Sequence, residues 1–163
     1  MLFLSKSSYE TNAFGRAVAR FLKSGDVVLL AGEMGNGKSE IARGIAQALG
    51  VKGPVPSPSF TILNDYDYLS LPLHHFDFYR INDEDELYES GLDEIIASSG
   101  ISLIEWFEKA EGVIPEERLI VSISKLENDD REIRLILDNF RAIDEAELLR
   151  AFEEEKSNAN FSL

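Results

Sequence analysis

The stretch GEMGNGKS, from Gly32 to Ser39, constrains this chain's architecture more than any other. It follows VVLLA (Val27–Ala31), a short, β-branched, wholly apolar run that reads as a strand buried on both faces. It precedes an amphipathic segment, from about Lys38 to Leu49, that reads as a helix. Gly32-x-x-x-x-Gly37-Lys38-Ser39 fits the phosphate-binding loop pattern without a mismatch, and a strand before it and a helix after it are the context that motif demands. Glycines let the main chain curl so that several N–H groups point inward at one oxyanion. The helix start adds its positive end. Glu33, Met34, Gly35, Asn36 and Gly37 then line the turn. Lys38 reaches the terminal phosphates of a nucleoside triphosphate, and Ser39 offers its hydroxyl to Mg2+.

The other segments read in order. Ser7 opens SSYE, a capping box with Glu10. Phe14, Ala17, Val18, Phe21 and Leu22 recur at helical spacing, with Gly25 as the stop. Pro54, Pro56 and Pro58 exclude a helix interior and predict an extended, stiff loop. FTILNDYDYL and LPLHHFDFYRI predict a strand pair joined near Ser70 to Pro72. DEDELYESGLDEIIAS is helical and acidic at its start, as the helix dipole favours. ISLIEWF is a second buried strand. RLIVSISKLE and REIRLILD predict a hairpin turning at Asn128 to Asp130, and DEAELLRAFEEEK a closing helix. We expect one domain over residues 1–156 and a loose tail, SNANFSL, over 157–163.

Composition narrows the function classes. A net charge of −14 disfavours independent binding to a phosphodiester backbone. A basic protein partner is compatible with it, and so is a plain role in solubility. No apolar stretch approaches the ~20 residues needed to span a bilayer, and MLFLSKSSYE is too short in apolar length for a signal peptide. No cysteine is present, which fits a reducing compartment, and the expected location is cytoplasmic.

A loop-bound metal needs a second, acidic ligand at the end of a neighbouring apolar strand. Glu105, ending ISLIE, is the better inner ligand on pattern. Asp77, in HHFDFYR, suits a role one step out, positioning water; the alternative is a structural partner for Arg80. His75 reads as a packed or hydrogen-bonded structural residue rather than a base or an orienter. Trp106 stacks over a nucleotide or belongs to the core. Ser59 and Thr61, on the proline-stiffened loop, sense a γ-phosphate as switch segments do, or cap a plain turn. Glu40, one residue beyond Ser39, stands among the nucleotide-binding positions where phosphates approach, or, as early helical acids commonly do, points to solvent from the first helical turn.

GEMGNGKS, SPSFT, HFDFYR and LIEW, in that order and spacing, resemble the bacterial TsaE (YjeE) family, from about Ser8 to Leu137. The resemblance implies an α/β, three-layer P-loop NTPase fold. Its central sheet would be mixed and largely parallel, flanked by helices, with antiparallel hairpin additions. It implies a weak intrinsic ATPase, with ATP and Mg2+ as cofactors. That ATPase would act with the TsaD and TsaB proteins in threonylcarbamoyladenosine modification of tRNA beside the anticodon, reaching RNA only through them. By match, Lys38 and Ser39 bind phosphate and Mg2+, and Glu105 is the metal-site glutamate. Asp77 is the functional aspartate, and Trp106 matches the family tryptophan. Thr11 lies where the N-terminal segment approaches the base. Asp77, Glu105 and Lys38 would carry catalysis. Ser59 replaces a threonine, Phe107 a proline and Glu40 a common threonine.

Two other classes share the loop. A small-molecule kinase needs a lid bearing arginines, yet Arg80 is the only arginine between Gly44 and Arg118. A nucleotide-gated binding module would need ATP bound but not cleaved.

Overall fold

The computed structural model describes residues 1–158. Seven strands form one sheet: β1 (Leu2–Ser5), β2 (Val27–Ala31), β3 (Leu63–Tyr66), β4 (Leu73–Asp77), β5 (Ile101–Glu105), β6 (Arg118–Lys125) and β7 (Arg131–Asp138). Four helices accompany them: α1 (Ser8–Ala19), α2 (Lys38–Leu49), α3 (Asp85–Ser90) and α4 (Glu145–Lys156). The spatial order is β1-β7-β6-β2-β5-β4-β3. The ladders β2·β5, β2·β6 and β4·β5 are parallel, so β6, β2, β5 and β4 run one way. β7 and β3 oppose them, and β1, antiparallel to β7, returns to the majority direction. The fold is α/β with a mixed, largely parallel sheet. Among the described residues no helix is long and apolar enough to cross a membrane.

Side-chain alternation splits β2 between two cores. Val28 and Leu30 join Phe14, Ile41, Ile45, Leu148 and Phe152 beneath α1, α2 and α4. Val27 and Leu29 join Phe76, Phe78, Leu87, Ile104 and Phe107 on the opposite face. The two faces meet only through the strands, which is why VVLLA has no polar position.

Helices α1 and α2 touch main chain to main chain. A Cβ at Gly44 would lie 2.1 Å from the Asn12 carbonyl oxygen, and one at Gly15 would lie 2.4 Å from that of Ile41. Beside this crossing, buried Arg16 donates to Glu155 of α4 at 3.0 Å and to Asn12, while Asn12 donates to Gln47 of α2 at 3.2 Å. A polar seam thus ties α1 to both of its helical neighbours, α4 and the α2 that follows the glycine loop.

Sequence and structure part at several points. Strand β1 was not expected, because four residues beside the N-terminus give little periodicity to read. Helix α1 stops at Ala19, so Phe21 and Leu22 lie beyond it, and Gly25 (φ +94°) serves the turn into β2 instead of the helix end. Ser7 caps α1 by accepting from the Glu10 amide at 3.1 Å, but the Glu10 carboxylate accepts from Lys6 N–H, one residue before the capping-box position. The acidic helix breaks at Gly91 (φ +75°), leaving six-residue α3 and a 3-10 turn at Leu92–Glu94. Another 3-10 segment, Phe107–Val113, follows β5. The strand pair β3–β4 is shorter than its sequence runs. At the start of the expected tail, the Ser157 and Asn158 amides continue the last turn of α4, and the Tyr9 hydroxyl donates to the Asn158 carbonyl at 2.7 Å. Residues 159–163 lie outside the described residues.

Candidate functional site

The carboxyl ends of β2, β5 and β4 lie side by side, with Leu30 paired to Glu105 and Glu105 paired to Asp77. Parity sets the face. Ile101 and Leu103 pack beneath α1 and α2, and so does Leu73. Glu105 is in phase with the first two, and His75 and Asp77 with the third, so all three polar residues sit on the α2 side. The glycine loop leaves β2 on that same edge and enters α2 at Lys38. All three acids and bases are buried.

The loop is held from three directions. Gly32 (φ +142°) approaches β6 so closely that a Cβ there would lie 2.5 Å from the Ile123 carbonyl. Asn36 donates to that carbonyl at 3.4 Å, and Arg131 Nε donates to the Asn36 carbonyl at 2.8 Å. Gly37 (φ +115°) heads α2 without a side-chain cap, so the first helical amides are presented to whatever enters the loop. Arg131 was not foreseen; nothing in the spacing of REIRLILD marks it, and only the return of β7 beside the loop brings it there.

Asp77 is fixed at both oxygens. Tyr79 N–H donates to Oδ1 at 2.8 Å, and Ser59 donates to Oδ2 at 3.0 Å, with Ser57 at 3.5 Å. It does not pair with Arg80, whose guanidinium lies 4.0 Å from the centre of the Phe60 ring. The alternative reading of Asp77 is therefore corrected. The proline-stiffened loop reaches the site through Ser57 and Ser59, whereas Thr61 turns away and donates to Asn64 at 3.0 Å. His75 Nε2 lies 3.0 Å from Glu105 Oε2.

Trp106, next to Glu105, takes the left-handed region at φ +55°, rare for a bulky residue. Its ring lies against Tyr79, centres 5.0 Å apart, and the Lys38 ammonium sits 4.3 Å above it. Met34 is exposed at the loop tip. On the loop's other flank lies an open cavity of about 290 Å³, bordered by Thr11, Gly35, Gly37, Ser39, Glu40 and Arg131. The Thr11 hydroxyl is engaged with Ser5 at 2.7 Å and the Ser7 carbonyl at 3.1 Å. Its methyl therefore forms the wall facing Gly37. Glu40 borders this cavity instead of pointing freely to solvent, and Arg43 neutralises it at 2.6 Å. Asp129, at the rim, is held below the usual carboxylate range by hydrogen bonding to Lys125 and then to Arg131.

Uncapped amides, an ammonium, a hydroxyl and a carboxylate together suit a polyanion carrying a divalent cation. Ser39 and Glu105 offer hard oxygens of the kind Mg2+ takes in small number, completing its shell with phosphate and water. Among the described residues no group of three or more His, Asp or Glu side chains gathers to hold a metal unaided. A cation here would thus need ligand oxygens.

Residues 5–133 match the family model described as "Threonylcarbamoyl adenosine biosynthesis protein TsaE". The chain is 43% identical over 124 residues to the tRNA threonylcarbamoyladenosine biosynthesis protein TsaE of Bacillus subtilis, covering 76% of this chain and 77% of the relative. It is 34% identical over 133 residues to the Treponema pallidum protein of the same name, covering 82% and 98%. The crystal structure of Bacillus subtilis YdiB superposes with a TM-score of 0.73 at 32% identity, covering 96% of this chain and 94% of that one.

Proposed function

The chain belongs to the TsaE family of threonylcarbamoyl adenosine biosynthesis proteins, and from that premise we propose that it is a Mg2+-dependent ATPase of P-loop fold serving this tRNA modification. Its place is with TsaD and TsaB in the cytoplasm, and RNA is handled by those partners. A net charge of −14 supports that division of labour.

The observation that carries the reading is the alignment of Leu30, Glu105 and Asp77 at one sheet edge, on the face from which α2 rises. The loop amides and Lys38 bind the β- and γ-phosphates. Ser39 and Glu105 hold Mg2+, which when bound supplies charge stabilisation at the transferring phosphoryl group. Asp77, locked by Tyr79 and Ser59, orients water, and the cavity between Thr11 and Arg131 receives the nucleoside. Ser59 and Ser57 make the proline-stiffened loop responsive to whatever moves Asp77. A cation from a partner completes the site, so turnover by the protein alone is slow.

Calorimetry with ATP and MgCl2 tests this directly. The protein is expected to bind ATP, and Lys38→Ala to weaken it by about 10–100-fold, the worth of a hydrogen bond to a charged group. No heat from the unsubstituted protein would sink the proposal. The same variant is expected to lose ATP-dependent co-purification with TsaD and TsaB. Arg131→Ala, which releases the Asn36 carbonyl, is expected to lower ATP affinity roughly tenfold. Unchanged affinity would mean the loop keeps its shape without that bond.

A further inference from the structure

We propose that His75 is a positioning residue that fixes which oxygen of Glu105 faces the phosphate loop; this rests on the ATPase reading above. Two histidines stand next to each other on β4 and are used differently. His74 is satisfied at both nitrogens, by Asp65 at 2.7 Å and by the Ser99 carbonyl at 2.8 Å. That is the pattern of a structural residue tying a hairpin to a turn. His75 makes one bond, from Nε2 to Glu105 Oε2 at 3.0 Å, and its Nδ1 is the only buried side-chain polar atom without a partner among the described residues.

The ring's hydrogen bonding is thus to Glu105 alone, and the bond serves the carboxylate. With Nδ1 bare, the proton belongs on Nε2, because an orphaned buried N–H is harder to accommodate than an orphaned acceptor. Nε2–H therefore donates to Oε2.

Register explains why a donor is needed. Asp77 and Glu105 are cross-strand neighbours on one face, 3% and 5% exposed, and like charges directly opposite repel. Asp77 is secured by Ser59 and the Tyr79 amide. His75 pairs with Leu103 in the ladder and reaches diagonally to Glu105, a span that ring side chains can bridge. Oε2 is taken by the ring, so Glu105 would offer its other oxygen to a cation shared with Ser39.

Substitution at His75 with two readouts tests this. Glutamine carries its amide nitrogen about where Nε2 lies, and asparagine and leucine do not. Mn2+ affinity in the presence of ATP, read by electron paramagnetic resonance, is expected to fall about 10–100-fold in His75→Leu and His75→Asn, the usual effect of losing a ligand's orienting partner. His75→Gln is expected to stay close to the unsubstituted protein. ATP affinity in EDTA should be unchanged in all three, which a general loosening of the core would not produce. Should His75→Leu fail to fold, the asparagine–glutamine contrast decides. The inference is overturned if His75→Asn keeps full Mn2+ affinity, if His75→Gln is as weak as His75→Asn, or if metal-free ATP binding falls in parallel. No Mn2+–ATP uptake by the unsubstituted protein would overturn this inference and the ATPase reading together.

Discussion

Gly44→Ala is expected to destabilise the protein by about 2–3 kcal/mol, the cost of forcing a methyl into a closed contact. An alanine in an open helix position would do the reverse, gaining up to about 1 kcal/mol over glycine. Here the added Cβ would lie 2.1 Å from the Asn12 carbonyl oxygen and 3.1 Å from the Arg16 amide nitrogen, all backbone, so no side chain can swing aside. The helices must separate, which also stretches the Asn12–Gln47 bond that spans them. For a domain of this size the melting temperature should drop by roughly 4–12 °C. Gly15→Ala, at the same crossing, should behave alike. A Gly44→Ala protein that melts at or above the unsubstituted temperature would show that α1 and α2 do not approach this closely in solution.

Glu105→Gln should lower ATP turnover by about 10²–10³-fold, the range seen when one electrostatic stabiliser of a transition state is removed. The substitution keeps the volume and an acceptor oxygen for His75, so the strand should remain packed. Under the proposed function it removes the charge that Mg2+ would meet there. Metal-free ATP binding should persist, and the loss should fall on kcat more than on KM. Turnover within a few-fold of the unsubstituted protein would remove Glu105 from the chemistry. A variant that binds ATP, does not cleave it and still supports tRNA modification would instead favour nucleotide-gated binding over hydrolysis.

Local patterns foretold the elements whose burial is uniform or strictly periodic. Strand β2 and helix α2 have the bounds read from VVLLA and from the run after Gly37, and β6, β7 and α4 follow their alternating or capped segments closely. The failures share a cause. Phe21 and Leu22 continue the spacing of α1 although the helix has ended, because a turn can also aim apolar side chains into the core. Gly91 divides an otherwise helical stretch by adopting a backbone angle that other residues avoid. Strand β1 exists only because β7 offers it an edge. The same division runs through the site. That the loop and the two acids share one sheet edge was readable, because each follows or closes an apolar run along the chain. Arg131, the methyl wall of Thr11 and the His75–Glu105 bond were not, because each arises from strands distant in sequence lying side by side.

The ammonium of Lys38 on the face of Trp106 has a further consequence. A cation over an aromatic ring gains about 0.5–2 kcal/mol, well below what a carboxylate partner in a dry site exerts. In a chain with 30 acidic residues the indole acts as a holster that keeps the charge at hand without quenching it, and under the function proposed above an arriving polyphosphate would draw it out at small cost. Since this is the only tryptophan, its emission doubles as a gauge of that withdrawal.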